Sequence, residues 1–365
     1  MMARLRLVSI GVLLAQFHAP QAWSENGDRW THAPYELGQG LNFPQIGVNV
    51  GGYLSLRYRD VEDAPSTLSL KDLSLLLSAD VSDRVNLFTE AEIGEAVSVA
   101  RHGIDSKNAE FEFERLYADY RARQHVTLRV GKFLTPVGRW NLIHADPLVW
   151  TVSRPLTTSV SFARQAAGAM VYGSVPLGDT LNDNGLDYSV FVDDTDLLDR
   201  DQQEELAYED ANPGITAVGA FEHAAGAHVT YHLLDDRMNL GASYLRYRMA
   251  DLHEDKDLLG VDFFWNLSRI ELSSEWVYRN SRGGAEPDER GGFVQAAVPV
   301  AGHMYAIGRY EHYTTAVQPE RVEVETLGLT YRPHRAISAK LEYRDGDHNR
   351  LVAPSGWLAS IAVLF

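Results

Sequence analysis

The chain reads as all-β, a transmembrane antiparallel β-barrel of about sixteen strands, with fourteen to eighteen the range its turn signals allow. Three observations lead there. Apolar residues recur at every second position in segment after segment; short polar turns alternate with longer connections; and the last ten residues, Gly356 to Phe365, alternate with apolar or small residues at Trp357, Ala359, Ile361 and Val363 and end on an aromatic side chain in the same phase. A period of two places successive side chains on opposite faces of a strand. In a closed sheet inside a bilayer, lipid and lumen impose that alternation over roughly ten residues per crossing.

From the N-terminus, Met1 to Arg6 carry Arg4 and Arg6 and no acid, Leu7 to Phe17 form an apolar run, and Ala22-Trp23-Ser24 supplies a small-x-small cleavage site. Residues 1–24 are therefore expected to be a secretory signal peptide, too short to span a bilayer as a helix. Residues 25–45 are expected to form a periplasmic N-terminal segment without strands, and 46–365 the barrel. Downstream of Phe17 no dozen uninterrupted apolar residues occur, so no transmembrane helix is predicted. With no cysteine there is no disulfide framework, thiolate metal site, catalytic thiol or lipid-modified Cys.

The strands can be phased directly. Val85, Leu87, Ala91 and Ile93 lie opposite Asn86, Phe88, Glu90 and Glu92; Leu186, Tyr188, Val190 and Val192 opposite Asp187, Ser189, Phe191 and Asp193. Ile270, Leu272, Ser274, Trp276 and Tyr278 alternate with Arg269, Glu271, Ser273, Glu275 and Arg279, and Ile337, Ala339, Leu341 and Tyr343 with Ser338, Lys340, Glu342 and Arg344. The run from Glu110 to Tyr117 switches phase near Arg115, which predicts a bulge. Seven short turns, near Ser82-Asp83-Arg84, Arg123-Gln124-His125, Leu177 to Gly185, Asp235-Asp236-Arg237, Asn266 to Ser268, Ala301-Gly302-His303 and Pro333 to Ala336, imply sixteen strands. Eight longer connections fall near 60–66, 98–109, 135–165, 195–214, 250–256, 282–290, 315–321 and 347–355. Short turns on the periplasmic side and long loops outside, with an even strand count, put both termini in the periplasm. The 17 Tyr, 13 Phe, 7 Trp and 29 Gly beside a mean hydropathy of −0.23 suit many short strands with aromatic girdles. Formal net charge is −17; removing Arg4 and Arg6 with the signal peptide leaves 31 basic against 50 acidic residues, or −19, which argues against a nucleic-acid partner.

A barrel of this size encloses water, so a passive channel for small hydrophilic solutes or ions is the expected function, with no cofactor and no metal site. Segment 135–165 is the longest connection and is unusually apolar, with Trp140, Leu142, Ile143, Leu148, Val149, Trp150, Val152 and Phe162. Folding into the lumen would bury those side chains. Its fixed charges are Arg139, Arg154 and Arg164, joined by His144 and opposed by Asp146. The expected lumen wall adds Glu90, Glu92, Asp187, Asp193, Glu271, Glu275 and Glu342 against Arg129, Arg269, Arg279, Lys340 and Arg344, a field across the constriction that favours hydrated polar solutes. The acid-rich fourth loop, Thr195 to Pro213, is read as a solvated face rather than a metal site.

The stretch Leu128-Arg129-Val130-Gly131-Lys132-Phe133-Leu134-Thr135-Pro136-Val137-Gly138, an alternating strand entering G-K-F-x-T-P-x-G, resembles the phosphate-selective porin family and its uncharacterised proteobacterial relatives. FERLYADYRA and RVGKFLTPVGRWNLIHADPLVWTVSRPL around it extend the likeness over roughly fifty residues. The aromatic carboxyl terminus likewise resembles the sorting signal of outer-membrane barrels. The resemblance implies a sixteen-stranded outer-membrane barrel, a homotrimer, an inward third loop and passive diffusion, with lipid and lipopolysaccharide around it. Phosphate selectivity is not implied: of the lumen lysines and arginines that go with it, only Arg129 and Lys132 match, and Lys132 falls in the lipid-facing phase with Val126, Leu128 and Val130. Two other classes are a barrel sheathing a partner protein, for example in electron transfer, and an outer-membrane hydrolase. For the latter the nearest pair is His144 with Asp146, two residues apart on an irregular loop, which is not a catalytic constellation. The chain is expected not to be an enzyme.

Overall fold

The computed structural model describes residues 35–100, 103–106, 109–143, 145–159, 161–177, 184–194, 221–249, 255–284, 288–314, 321–346 and 353–365. Among these, sixteen long strands follow one another: β1 (Val48–Val61), β2 (Thr67–Ser82), β3 (Val85–Ala100), β4 (Glu110–Arg123), β5 (Val126–Leu134), β6 (Gln165–Pro176), β7 (Gly185–Asp194) and β8 (Phe221–Leu233). The second half comprises β9 (Met238–Met249), β10 (Asp255–Leu267), β11 (Ile270–Ser281), β12 (Glu289–Ala301), β13 (Met304–Thr314), β14 (Arg321–His334), β15 (Ile337–Asp345) and β16 (Gly356–Leu364). Each pairs antiparallel with the next, and β16 returns to β1 with Leu364 opposite Tyr53 and Gly356 opposite Val61. The chain is a closed sixteen-stranded barrel. Closure matters because an open sheet edge has unpaired amides that a bilayer cannot satisfy.

The alternation places the strands because the two faces differ. Outward positions such as Leu75, Phe111, Val130, Val261, Leu327 and Ile361 are apolar and exposed, while inward positions carry Ser55, Glu90, Glu275, Arg309 and Lys340. Between β2 and β3, β10 and β11, and β12 and β13 only Asp83-Arg84, Ser268-Arg269 and Gly302-His303 intervene, so one end of the barrel is built from short turns and the other from long connections. The predicted bulge near Arg115 is present. Glu90 pairs with Arg115 and Ala91 with Phe113, leaving Glu114 as the extra residue and turning both Glu114 and Arg115 inward.

The N-terminal segment departs from expectation. Tyr35–Glu36 and Gly40–Phe43 are short strands, where residues 25–45 read as strandless. Gly40–Phe43 pairs with β1, Leu41 opposite Val50 and Phe43 opposite Val48, and Tyr35–Glu36 folds back on it. The reason lies in β1, which extends past the end of β16 and would otherwise leave backbone groups without a partner. A third short strand, Gly103–Asp105, extends the hairpin edge of β3.

At the seam the backbone N–H of Phe365 donates to Gly52 O and that of Gly52 to Phe365 O, both at 2.8 Å. The Phe365 ring lies over Gly52, where a Cβ would come within 2.8 Å of the ring and 2.3 Å of Ser74 O. Gly52→Val should therefore destabilise the closed barrel by about 1–3 kcal/mol. It should lower the urea midpoint of the heat-modifiable gel band, whereas Gly308→Ala, whose Cβ meets nothing closer than Leu327 at 3.9 Å, should leave it unchanged.

Candidate functional site

β5 and β6 are neighbours, with Leu134 opposite Gln165, so segment 135–164 leaves and rejoins the wall at one place. A collar closes its neck: Thr135 N–H donates to Arg164 O at 2.8 Å, the Thr135 hydroxyl to Ala163 O at 2.6 Å, and the Asn141 amide to both Thr135 O and Arg164 O. Beyond the collar it forms a 3-10 turn, Trp140–Ile143, and one helical turn, Leu156–Ser159. Pro155, preceding that turn, cannot donate an amide there and its fixed φ suits a helix start. The hydroxyls of Thr158 and Ser159 donate to its carbonyl.

The segment crosses the barrel interior to the opposite wall. Gly138 N–H donates to Ser243 Oγ on β9 at 3.2 Å. The N–H groups of Arg139 and Trp140 donate to Glu275 on β11 at 2.9 and 2.5 Å, those of Val152 and Ser153 to Glu342 on β15 at 2.8 and 2.9 Å, and that of Leu156 to Glu311 on β13 at 2.7 Å. Carbonyls of the segment are met by cations and a phenol. Arg279 and Tyr247 donate to Ser161 O, Arg309 to Ser153 O, and Arg332 to Leu148 O and Val149 O. A segment with no ladder partner has to satisfy its buried amides through side chains, and a carboxylate can accept two at once. Its apolar residues Val137, Leu156 and Phe162 pack with Phe133, Phe191, Leu245, Tyr247, Leu258 and Tyr313 in a hydrophobic core inside the barrel, and Trp140 and Val149 pack with Phe293.

The residues singled out from sequence fall into three places. Arg139, Asp146, Glu271, Glu275, Lys340 and Glu342 lie where the segment meets the far wall, and Arg154 stays on the segment itself beside Trp140 and Asn141. Asp146 is bound by Lys340 Nζ at 2.6 Å and the Ser55 hydroxyl at 2.5 Å. Burial acts to raise its carboxyl, but the Lys340 ammonium and those two hydrogen bonds outweigh it and hold the group below the usual carboxylate range. The Arg139 guanidinium lies 3.9 Å from the Phe264 ring centroid and Arg154 lies 4.6 Å from Trp140 while donating to Asn141. Together with Glu271 and Glu275, Arg139 lines a cavity that also holds Trp150, Phe293 and Gln295.

Glu90, Glu92 and Arg164 sit on the near wall instead. Glu90 pairs with Arg115 at 2.5 Å, Glu92 accepts from Tyr53 at 2.8 Å and from Ser74, and Arg164 meets Glu114 at 3.3 Å. Arg129 lies toward the short-turn end, doubly bonded to Asp119 and stacked on Tyr117. His144 and Thr195 to Pro213 lie outside the described residues. Arg269 reaches the Gly302 carbonyl at a short turn, Asp193 accepts the Ala167 N–H, and Arg344 holds Pro354 O. Lys132 corrects its sequence phase. It pairs with outward-facing Leu116, yet it is buried with its ammonium on Glu112, following Gly131, whose φ of 132° turns the strand. Arg309, Glu311 and Arg332 escaped the sequence reading. The first two alternate with Tyr310 and His312 and carried a period-two signal; Arg332 precedes Pro333 at the frayed end of β14, where the register shifts. Among the described residues no group of His, Asp and Glu is arranged to hold a metal ion.

No protein-family model matches the chain. An uncharacterised protein of Aquifex aeolicus (strain VF5) is 25% identical over 341 residues, covering 83% of this chain and 76% of its own. The fold is similar to the anion-selective porin of Comamonas acidovorans (TM-score 0.55, 14% identity, 87% of this chain and 98% of that one). It is similar also to Salmonella typhi OmpF in complex with daunomycin (0.58, 10%, 87% and 97%) and to the outer-membrane channel DcaP of Acinetobacter baumannii (0.51, 16%, 87% and 97%). The chain thus has the barrel fold of outer-membrane porins.

Glu342→Ala leaves the Val152 and Ser153 amides without acceptors, at about 1–3 kcal/mol for each buried donor. Trypsin should then cut at Arg154 at least about tenfold faster than in the wild type, since 1.4 kcal/mol shifts an opening equilibrium tenfold. Glu325→Ala, on the exposed outer face, should cut at the wild-type rate.

Proposed function

We propose that the chain is a porin of the bacterial outer membrane, a passive channel for small hydrophilic solutes or ions that segment 135–164 narrows. The observation that carries this reading is the docking of that segment on Glu275, Glu311 and Glu342 across the lumen of a closed barrel. Likeness to porin barrels supports the membrane placement. In this reading residues 1–24 are a signal peptide, 25–45 lie in the periplasm, the barrel sits among outer-membrane lipid and lipopolysaccharide, and three copies associate.

The charges support a restricted passage with weak selectivity. Several acids that would have made the lumen anionic are used as acceptors for backbone amides, and Arg164 faces Glu114. What remains toward solutes is a mixed set with Arg154 half-buried on the segment. No coupling to an energy source follows from this arrangement. Nothing favours a sheath, because the chain's own segment occupies the interior space that a threaded partner would need. A hydrolase built on Asp146 is disfavoured as well, its carboxylate being committed to Lys340 and Ser55.

Planar-bilayer recording tests the reading. The wild type should show steady openings, and replacing residues 138–163 by a short Gly-Ser linker should raise unit conductance about twofold or more, since pore cross-section limits flux. Arg154→Ala should shift the reversal potential in a salt gradient toward cations; an unchanged potential would remove this arginine from the passage. A silent barrel would remove the channel reading itself.

A further inference from the structure

The outer face carries a pattern that the lumen reading leaves unused. Among the described residues, the outward-facing arginines at the long-loop end all belong to the β9–β14 flank: Arg246, Arg248, Arg282, Arg290 and Arg321. Their direction follows from their neighbours. Leu245 and Tyr247 are buried inside, so Arg246 and Arg248 face out; Glu289 is buried inside beside Arg279, so Arg290 faces out; Val322 is buried inside, so Arg321 faces out. At the same end of β1–β8, outward positions carry Tyr58, Leu68, Val99, Phe111 and Val192.

The row sits at a defined depth. Exposed Tyr244, Trp276 and Tyr310 lie below it on β9, β11 and β13 and exposed Tyr278 lies level with Arg290, and aromatic side chains of this kind mark the level of lipid head groups. Carboxylates on the same face orient the arginines without enclosing them. Asp255 holds Arg246 and Arg248 at 3.2 and 2.8 Å, Asp257 holds Arg282 at 2.5 Å and Glu323 holds Arg321 at 3.1 Å, yet the side chains of Arg246, Arg282 and Arg321 stay 47%, 46% and 68% exposed. Arg290, between Tyr278 on β11 and Thr314 on β13, is exposed and has no carboxylate partner among the described residues. A guanidinium at the edge of the hydrocarbon is unfavourable alone, and its forked donors fit a phosphate in two-point contact.

We propose that this flank binds the phosphate groups of a membrane lipid on the long-loop side, with Arg282 and Arg290 as the principal contacts. The inference rests on the reading of the barrel as lipid-embedded and assigns one side of it a lipid partner of stated chemistry. Asp255, Asp257 and Glu323 offset three of the five arginine charges, so binding depends on guanidinium geometry more than on a bulk positive field.

Native mass spectrometry of the purified barrel in a neutral detergent tests this, with bis-phosphorylated lipid A and the same lipid stripped of both phosphates as probes. The wild type should retain lipid A at least about tenfold better than the stripped lipid, the size expected for one or two charge-assisted contacts. The Arg282→Ala/Arg290→Ala double variant should lose that preference while keeping its heat-modifiable band and its conductance; Arg290→Gln alone, a change at an exposed side chain with no carboxylate partner among the described residues, should lose a substantial part of it. Equal retention of the two lipids by the wild type, or an undiminished preference in both variants, would overturn the proposal. Failure of the channel reading is separable, since it would appear as absent conductance with the lipid preference intact.

Discussion

A stretch of chain without a strand partner can occupy the inside of a β-barrel only if its amides find acceptors there. That constraint organises this molecule. Segment 135–164 brings to the lumen a series of buried and half-buried N–H groups, and the wall answers with Glu275, Glu311 and Glu342 on alternate strands β11, β13 and β15. Burying these carboxylates would be unfavourable if they were idle. As acceptors of one or two amides each they become the hinge between wall and segment. The cations follow the same logic in reverse, Arg279, Arg309 and Arg332 capping carbonyls while Lys340 binds Asp146.

This use of charge changes what the lumen presents to a solute. Counted as a wall, the acids exceed the bases and suggest a cation-preferring interior. Counted by what they touch, several are neutralised by the segment or by each other, as Glu90 is by Arg115 and Asp119 by Arg129. The apolar residues of the segment are explained in the same frame. Leu156 and Phe162 are not a surface anomaly but half of a core whose other half is Phe191, Leu245, Leu258 and Tyr313 on the inner face of the barrel.

Much of the architecture was legible because lipid and lumen impose opposite demands on adjacent residues. The strands from β1 to β16, the short turns such as Gly302-His303 and the bulge beside Arg115 all follow from that local rule. The wiring of the interior does not. Glu342 and Val152 are distant in sequence, and period two states that Glu342 faces inward without stating which amide it will meet. Arg309 and Glu311 carried the right alternation but no feature separating them from other lumen charges. Gly40–Phe43 could not be read as a strand, since its reason for existing lies in the overhang of β1 beyond Phe365. Lys132 was misplaced because φ at Gly131, invisible in a residue pattern, turns the chain at that point.

Absence of cysteine makes the central claim directly measurable, since a single introduced thiol is unique. Arg154→Cys places it on the segment inside the barrel, and Leu327→Cys places one on the outer face as a control. Single-channel current should fall on adding a charged, water-soluble methanethiosulfonate to the former and stay constant for the latter. An unaltered current after complete modification at position 154 would contradict the account.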